Sequence, residues 1–138
     1  PDVLAHNAET VPELYPAVNR RAAAFADTLR VLAHAKERGW IAKSGLMVGL
    51  GEERGQLRDL FRTLRGAGVD ALTIGQYLQP DRRSLPVQRY YSPDEFAELK
   101  REALGLGFAA VESGPFVRSS YHAEEMYRAV TRALSRIQ

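Results

Sequence analysis

IAKSGLMVGLGEERGQLRDLFRTLR, residues 41–65, reads as a single strand–turn–helix unit. Ile41–Val48 is a short, apolar, β-rich run, and Gly49, Leu50 and Gly51 make a glycine-rich turn after it. From about residue 53 to 65, Leu57, Leu60, Phe61 and Leu64 recur at the three- and four-residue spacing of one helical face. The same order recurs on both sides. Residues 2–6 (DVLAH) form a first strand, which passes through Asn7 to Thr10 and a short intervening region into a helix over roughly 25–38 that Gly39 ends. After the helix stop at Gly66 and Gly68, residues 69–78 form a third strand, which enters a long loop holding Pro80, Arg82, Arg83, Pro86 and Arg89. SPDE, residues 92–95, restarts a helix with Ser92 as N-cap, Pro93 in the first turn and Glu95 three residues on. A fourth strand over 108–112 and a last helix over 123–136 complete the series.

Strands about 30–40 residues apart, each followed by a helix, require crossover connections and a parallel sheet. The expected fold is therefore α/β, built of parallel βα repeats. At 138 residues, with 45% hydrophobic and 26% charged residues, the chain makes one domain with a real core. A full eightfold barrel typically needs about 250 residues, so four units make a small open sheet or an arc of a barrel. The chain begins on Pro1 and a strand with no helix ahead of it, as expected of an arc belonging to something larger. A net charge of +2 gives no argument for nucleic acid or membrane partners, and neither is expected. No apolar run reaches the roughly 20 residues of a membrane helix, and a cytoplasmic location is expected. The absence of cysteine excludes disulfides, thiol nucleophiles and any thiolate-held cluster built from this chain alone.

In parallel α/β folds the chemistry gathers where the strands end at their C-terminal side. The loops there carry His6, Asn7 and Glu9, then Lys43, Ser44 and Glu52, then Gln76, Tyr77 and Gln79, and finally Arg118, Ser119, Ser120, Tyr121 and His122. Several of these have plainer readings. Asn7 and Glu9 suit the start of a helix as caps. The stretch from Gly45 to Gly51 is either a tight turn or a phosphate cradle, and it lacks the Gly-Lys-Ser/Thr ending of a P-loop. Arg82, Arg83 and Arg89 read as a solvated face, since no stacking aromatics are interleaved with them. Ser120 and His122 do not face each other on a helix, and no GxSxG elbow is present, which excludes a serine hydrolase. His6 and His122 lack the third ligand that a zinc site needs.

Four segments taken together, HNAET (6–10), KSGLMVGLGE (43–52), DALTIGQYLQP (70–80) and GPFVRSSYHAEE (114–125), resemble the lipoyl synthase family in order and spacing. The resemblance covers nearly the whole chain. It implies the C-terminal half of a radical S-adenosylmethionine enzyme, residues 1–138 forming part of a partial TIM-type barrel, with the half that bears the cysteine motifs absent. Gly45, Met47, Gly49 and Glu52 are similar to that superfamily's GxIxGxxE pattern, with Met47 in place of isoleucine. Members insert two sulfur atoms at C6 and C8 of an octanoyl chain on a protein lysine. They use two [4Fe–4S] clusters: one cleaves S-adenosylmethionine to a 5′-deoxyadenosyl radical, and the other is consumed as the sulfur source.

By the same resemblance, Ser120, in preference to Ser119, is a ligand of the sulfur-donating cluster, and Arg118 balances the cluster's charge or holds the loop by hydrogen bonds, a surface salt bridge being its plainer reading. Oxygen binds Fe–S iron less comfortably than thiolate, so a serine ligand suits an iron that must be released. Asn7, Glu9, Lys43, Ser44, Gln76 and Gln79 are the expected S-adenosylmethionine contacts. Glu52 either braces the glycine turn or joins them, while Met47, Val48 and Leu50 either offer an apolar wall for adenine or pack in the core, the latter being favoured for Val48. The implied partners are an octanoylated lipoyl-domain protein or the glycine-cleavage H protein, together with the missing N-terminal half. This chain by itself is expected to be inactive. The contrasting expectation is a non-catalytic half-barrel scaffold or interaction module that lacks clusters.

Overall fold

The computed structural model describes residues 2–137. Four strands, β1 (Val3–Ala5), β2 (Ile41–Val48), β3 (Ala71–Gln76) and β4 (Ala110–Ser113), alternate with helices α1 (Ala23–Glu37), α2 (Arg54–Gly66), α3 (Pro93–Gly105) and α4 (Ala123–Ile137). All strand pairs are parallel, and the spatial order β1-β2-β3-β4 is the chain order. Sequential order keeps successive crossovers on one side of the sheet. The result is a parallel arc, as in a partial TIM-type barrel. Among the described residues, no helix is long and apolar enough to cross a membrane.

Residue alternation along the strands assigns the two faces. Ala42, Leu46 and Val48 of β2, Leu72 and Ile74 of β3 and Val111 of β4 pack in one core with Leu32 of α1, Phe61 of α2 and Leu99 of α3. The opposite face carries Ile41, Ala71 and Ala110, against which α4 lays Met126 and Val130. Both faces of β2 and β3 are thus covered, as parallel sheets require. The position of α4 breaks the simple repeat, for it covers the face that α1–α3 leave free. Small Ala71 and Ala110 let it approach there.

The elements match the sequence expectations except at their ends. β3 starts at Ala71 instead of residue 69 because Val69 and Asp70 have other tasks. Val69 N–H closes the end of α2 on Leu64 O, while Asp70 accepts from Lys36 Nζ (3.0 Å) and from Ala42 N–H (3.0 Å). That carboxylate pins α1 to the sheet. Between β1 and α1, two single 3-10 turns, Pro12–Leu14 and Pro16–Val18, each start on a proline. At α3, Ser92 Oγ accepts from Glu95 N–H (3.1 Å) and Glu95 Oε1 accepts from Ser92 N–H (3.0 Å), the reciprocal cap that SPDE predicts.

Candidate functional site

The strand ends meet on the α4 side of the sheet, above Ala71 and Ala110. Register places Gly45 beside Thr73 and Thr73 beside Glu112, with Met47 next to Gly75 in the row above. Residues 7–9 extend the β1 edge irregularly along β2. Glu9 N–H donates to Gly45 O (3.1 Å), Met47 N–H donates to Glu9 O (2.9 Å), and Glu9 takes a left-handed φ of 70°. Neither Asn7 nor Glu9 caps the turn that follows, whose N-cap is Val11 without a side-chain bond.

From the other side, residues 114–122 fold back over β3. Gly114 N–H donates to Ile74 O (3.1 Å), Val117 is buried, and Val117 O lies so near Gly75 that a Cβ there would be 2.2 Å from it. The same Cβ would be 3.2 Å from Arg118 Nη1. Gly45 plays a similar part, since a Cβ there would meet Thr73 Oγ1 at 2.4 Å and Asn7 Oδ1 at 3.1 Å. The two glycines therefore admit polar groups that any side chain would displace.

What results is a cavity of about 90 Å³ bounded by Asn7, Glu9, Met47, Thr73, Arg118 and Ser119. A carboxylate, a guanidinium, an amide and two hydroxyls around one small space suit a zwitterionic or hydroxyl-rich ligand. Glu9 and Met47 also border a second cavity of about 240 Å³ with Arg20, Leu50 and Tyr77, where the surface is mainly apolar. Arg118 Nη1 meanwhile donates to Val117 O (2.8 Å), which holds the guanidinium at the rim.

A half-buried brace holds the glycine turn of residues 49–51. Glu52 accepts from Gly49 N–H (2.9 Å) and Leu50 N–H (3.0 Å), and also from the hydroxyl of Tyr91 (2.7 Å). Burial, and then the bond to Glu52, push the Tyr91 hydroxyl far above the ordinary tyrosine range. Gln76 ties the long loop to the same place, donating to Tyr77 O and Arg89 O and accepting from Tyr91 N–H. Glu52 and Gln76 thus spend their polar groups on backbone and on Tyr91, and Ser44 Oγ does the same by accepting from Ala8 N–H (3.2 Å).

The remaining expected residues lie elsewhere. Lys43 is buried in a separate slot beneath α4, beside Ile41, Ala71, Met126, Tyr127 and Val130, and burial lowers its pKa. Gln79 is exposed and donates to Ser84 O (3.0 Å) in its own loop. Ser120 is exposed at the start of α4, its carbonyl accepting from Ala123 N–H (3.3 Å), whereas Ser119 lines the smaller cavity. Thr73 and Glu112 were not singled out by the sequence, yet both occupy the site face, and Glu112 Oε1 stands 3.5 Å from His122 Nδ1. Two-residue alternation counted from Ala71 would have found Thr73. Among the described residues no three of His, Asp and Glu converge as a metal site would need.

No family model matches the chain. Curated relatives do. The lipoyl synthase of Rubrobacter xylanophilus is 56% identical over 127 residues, which are 91% of this chain and 39% of the relative. Those of Koribacter versatilis and Mycobacterium avium are 49% and 48% identical over 97% and 96% of this chain. The chain spans 39–44% of the length of these relatives. Over the length that they share, the chain belongs to the lipoyl synthase family.

Proposed function

We propose that these residues form the cofactor- and substrate-facing C-terminal portion of a lipoyl synthase, the radical S-adenosylmethionine enzyme that inserts sulfur at C6 and C8 of a protein-bound octanoyl-lysine. One observation carries this reading. Asn7, Glu9, Thr73, Arg118 and Ser119 surround one cavity at the C-terminal ends of parallel strands, and an apolar cavity joins it through Glu9 and Met47.

The donor set fits S-adenosylmethionine. Glu9 and Asn7 suit its ammonium and ribose hydroxyls, and Met47 and Leu50 form an apolar wall for adenine, while Glu52, Gln76 and Ser44 act through the backbone that they hold. Bound to its cluster in the full-length enzyme, the cofactor supplies the radical that removes hydrogen from C6 and C8. For the clusters themselves this chain offers no thiolate, so the donor set here completes a site and does not build one. Ser120 is the oxygen ligand in this reading. It is exposed, and Arg118 two residues away brings a cation to balance cluster charge. With no cysteine, the chain does not run the reaction alone, and it works together with an N-terminal portion and with an octanoylated lipoyl-domain or H-type carrier.

Reconstituted full-length enzyme tests this reading. Ser120→Ala should abolish sulfur insertion and leave reductive cleavage of S-adenosylmethionine largely intact. Loss of product in Ser119→Ala with normal product in Ser120→Ala would move the ligand role to Ser119. Normal product from both variants would reject a serine ligand, and absence of octanoyl-dependent cofactor cleavage in the wild-type enzyme would favour an inert scaffold.

A further inference from the structure

The groove does not end at the two cavities of the site. Val18 and Tyr77, walls of the middle cavity, also bound a third space of about 540 Å³ between the Pro16–Val18 turn and the long loop at Pro80, Arg83 and Pro86. From the floor outward the three spaces therefore grow from about 90 to 240 to 540 Å³. Each shares two residues with the next, so the three spaces lie in a row.

The outer rim of this row is basic. Arg20 lines the middle space and Arg83 the outer trough, with Arg21 and Arg82 beside them in the chain. None of these four is in an ion pair among the described residues. Asp81, the acid of the loop, is exposed but engaged within its own turn: its Oδ1 accepts from Arg83 N–H (2.8 Å), Ser84 N–H (3.1 Å) and the Ser84 hydroxyl (3.1 Å). It closes a turn and leaves the neighbouring guanidiniums free. Tyr77, donating to Leu85 O (2.8 Å), and Gln79, donating to Ser84 O, fix the loop wall. In the middle space Arg20 is held by its backbone bond to Tyr15 O (2.9 Å) and by stacking at 5.0 Å over the Tyr15 ring. Glu9 is the carboxylate that faces the inner spaces, so the positive charge belongs to the rim.

We propose that this trough docks an acidic protein segment, namely the chain flanking the lysine that bears the acyl group. This rests on the function proposed above. A long, thin acylated side chain can cross the sill of Val18 and Tyr77 toward Met47 while its own backbone stays in the trough. The lining mixes apolar Ala17, Val18, Leu85 and Pro86 with polar Asn19 and Ser84, as a peptide's alternating side chains and amides require, and the guanidiniums at the rim select carboxylates. Rim charges of this kind act on encounter and KM, and they weaken with salt.

The test uses reconstituted full-length enzyme and two octanoyl-lysine peptides of equal length, one flanked by Asp and Glu and the other by Asn and Gln. The acidic peptide should have the lower KM, with the preference shrinking as salt rises. Arg82→Gln with Arg83→Gln should raise the KM of the acidic peptide about tenfold, a loss near 1.4 kcal/mol, and leave the neutral peptide's KM and peptide-independent cofactor cleavage unchanged. Arg82→Lys with Arg83→Lys should retain most of the preference, which separates charge from misfolding. Equal KM values for the two peptides, or no effect of the glutamine pair, would overturn the proposal. So would RNA displacing a labelled acidic peptide more strongly than an excess of that peptide does. Tight, salt-sensitive and arginine-dependent binding of the acidic peptide without turnover would keep the docking surface and reject the proposed activity instead.

Discussion

Gly75→Ala is the sharpest test of how the site is assembled. The added Cβ would sit 2.2 Å from Val117 O and 3.2 Å from Arg118 Nη1, where ordinary contact begins near 3.4 Å. The backbone of residues 117–118 must therefore retreat by about 1.2 Å. The obstacle is a carbonyl, not the end of a flexible side chain, and Val117 next to it is 5% exposed and cannot simply swing away. Overpacking of this kind costs about 1–3 kcal/mol, which for a domain of this size lowers Tm by roughly 3–15 °C. The functional loss should exceed the loss of stability, because the retreat carries Arg118 and Ser119 off the cavity they border. Thermal melts measure the loss of stability, hydrogen exchange at the Val117 amide, bonded to Gly114 O at 3.2 Å, reports the retreat, and product formation by reconstituted full-length enzyme reads the functional loss. Gly55→Ala in α2 is the control. It faces open space and should stabilise by about 0.5–1 kcal/mol through helix propensity. A Gly75→Ala chain that melts with the wild type and keeps Val117 protected would refute the close approach on which the site depends.

Three further changes probe the supports of the site. Tyr91→Phe removes the 2.7 Å bond to Glu52, which keeps its backbone donors, and should cost about 1–2 kcal/mol in denaturant melts. The folded pKa of Tyr91 lies above its unfolded value, so its contribution is complete below about pH 10 and is lost as pH rises further; Tyr91→Phe should flatten that alkaline fall, leaving the smaller slope due to Tyr15. Lys43→Met should raise Tm at pH 7. Burial lowers the folded pKa of Lys43, so the unfolded chain binds more protons and stability climbs as pH rises toward about 10; methionine should remove that climb, and a lower Tm would refute it. Ser92→Ala opens the reciprocal cap of α3 and should cost about 1 kcal/mol, with the loss confined to that helix in hydrogen exchange.

The fold was legible because its signals are local and repeated. Leu57, Leu60, Phe61 and Leu64 declare the buried face of α2 by spacing alone, and all four are buried. SPDE declares the start of α3 in the same way. The site was legible only by loop. Sequence position brought Asn7, Glu9 and Arg118 to one end of the sheet, and the structure sets them around one cavity. It could not say which polar side chains are free. Gln76 and Ser44 are buried and bonded to backbone more than ten residues away, and partners at that distance in the chain leave no trace in a local pattern. Lys43 misleads for another reason. It belongs to the correct strand and the correct face, but two residues too low, and the slot it enters exists only because α4 crosses to that side.

That crossing links the composition of the sheet to its use. One face carries Leu46, Val48, Leu72, Ile74 and Val111, large side chains that fill the space under α1, α2 and α3 and supply most of the apolar burial. On the other face, among Ile41, Lys43, Met47, Thr73 and Glu112, stand four positions with almost no side chain, Gly45, Ala71, Gly75 and Ala110. Those positions contribute little packing of their own, so their small size must serve what approaches them. At the lower rows Ala71 and Ala110 receive α4 through Met126 and Val130, and at the upper rows Gly45 and Gly75 receive Asn7, Thr73 and the backbone of residues 117–118. A change to any large side chain in the upper rows should therefore leave the three-helix core intact while emptying the cavity of its polar groups, which separates folding from function along a single pair of strands.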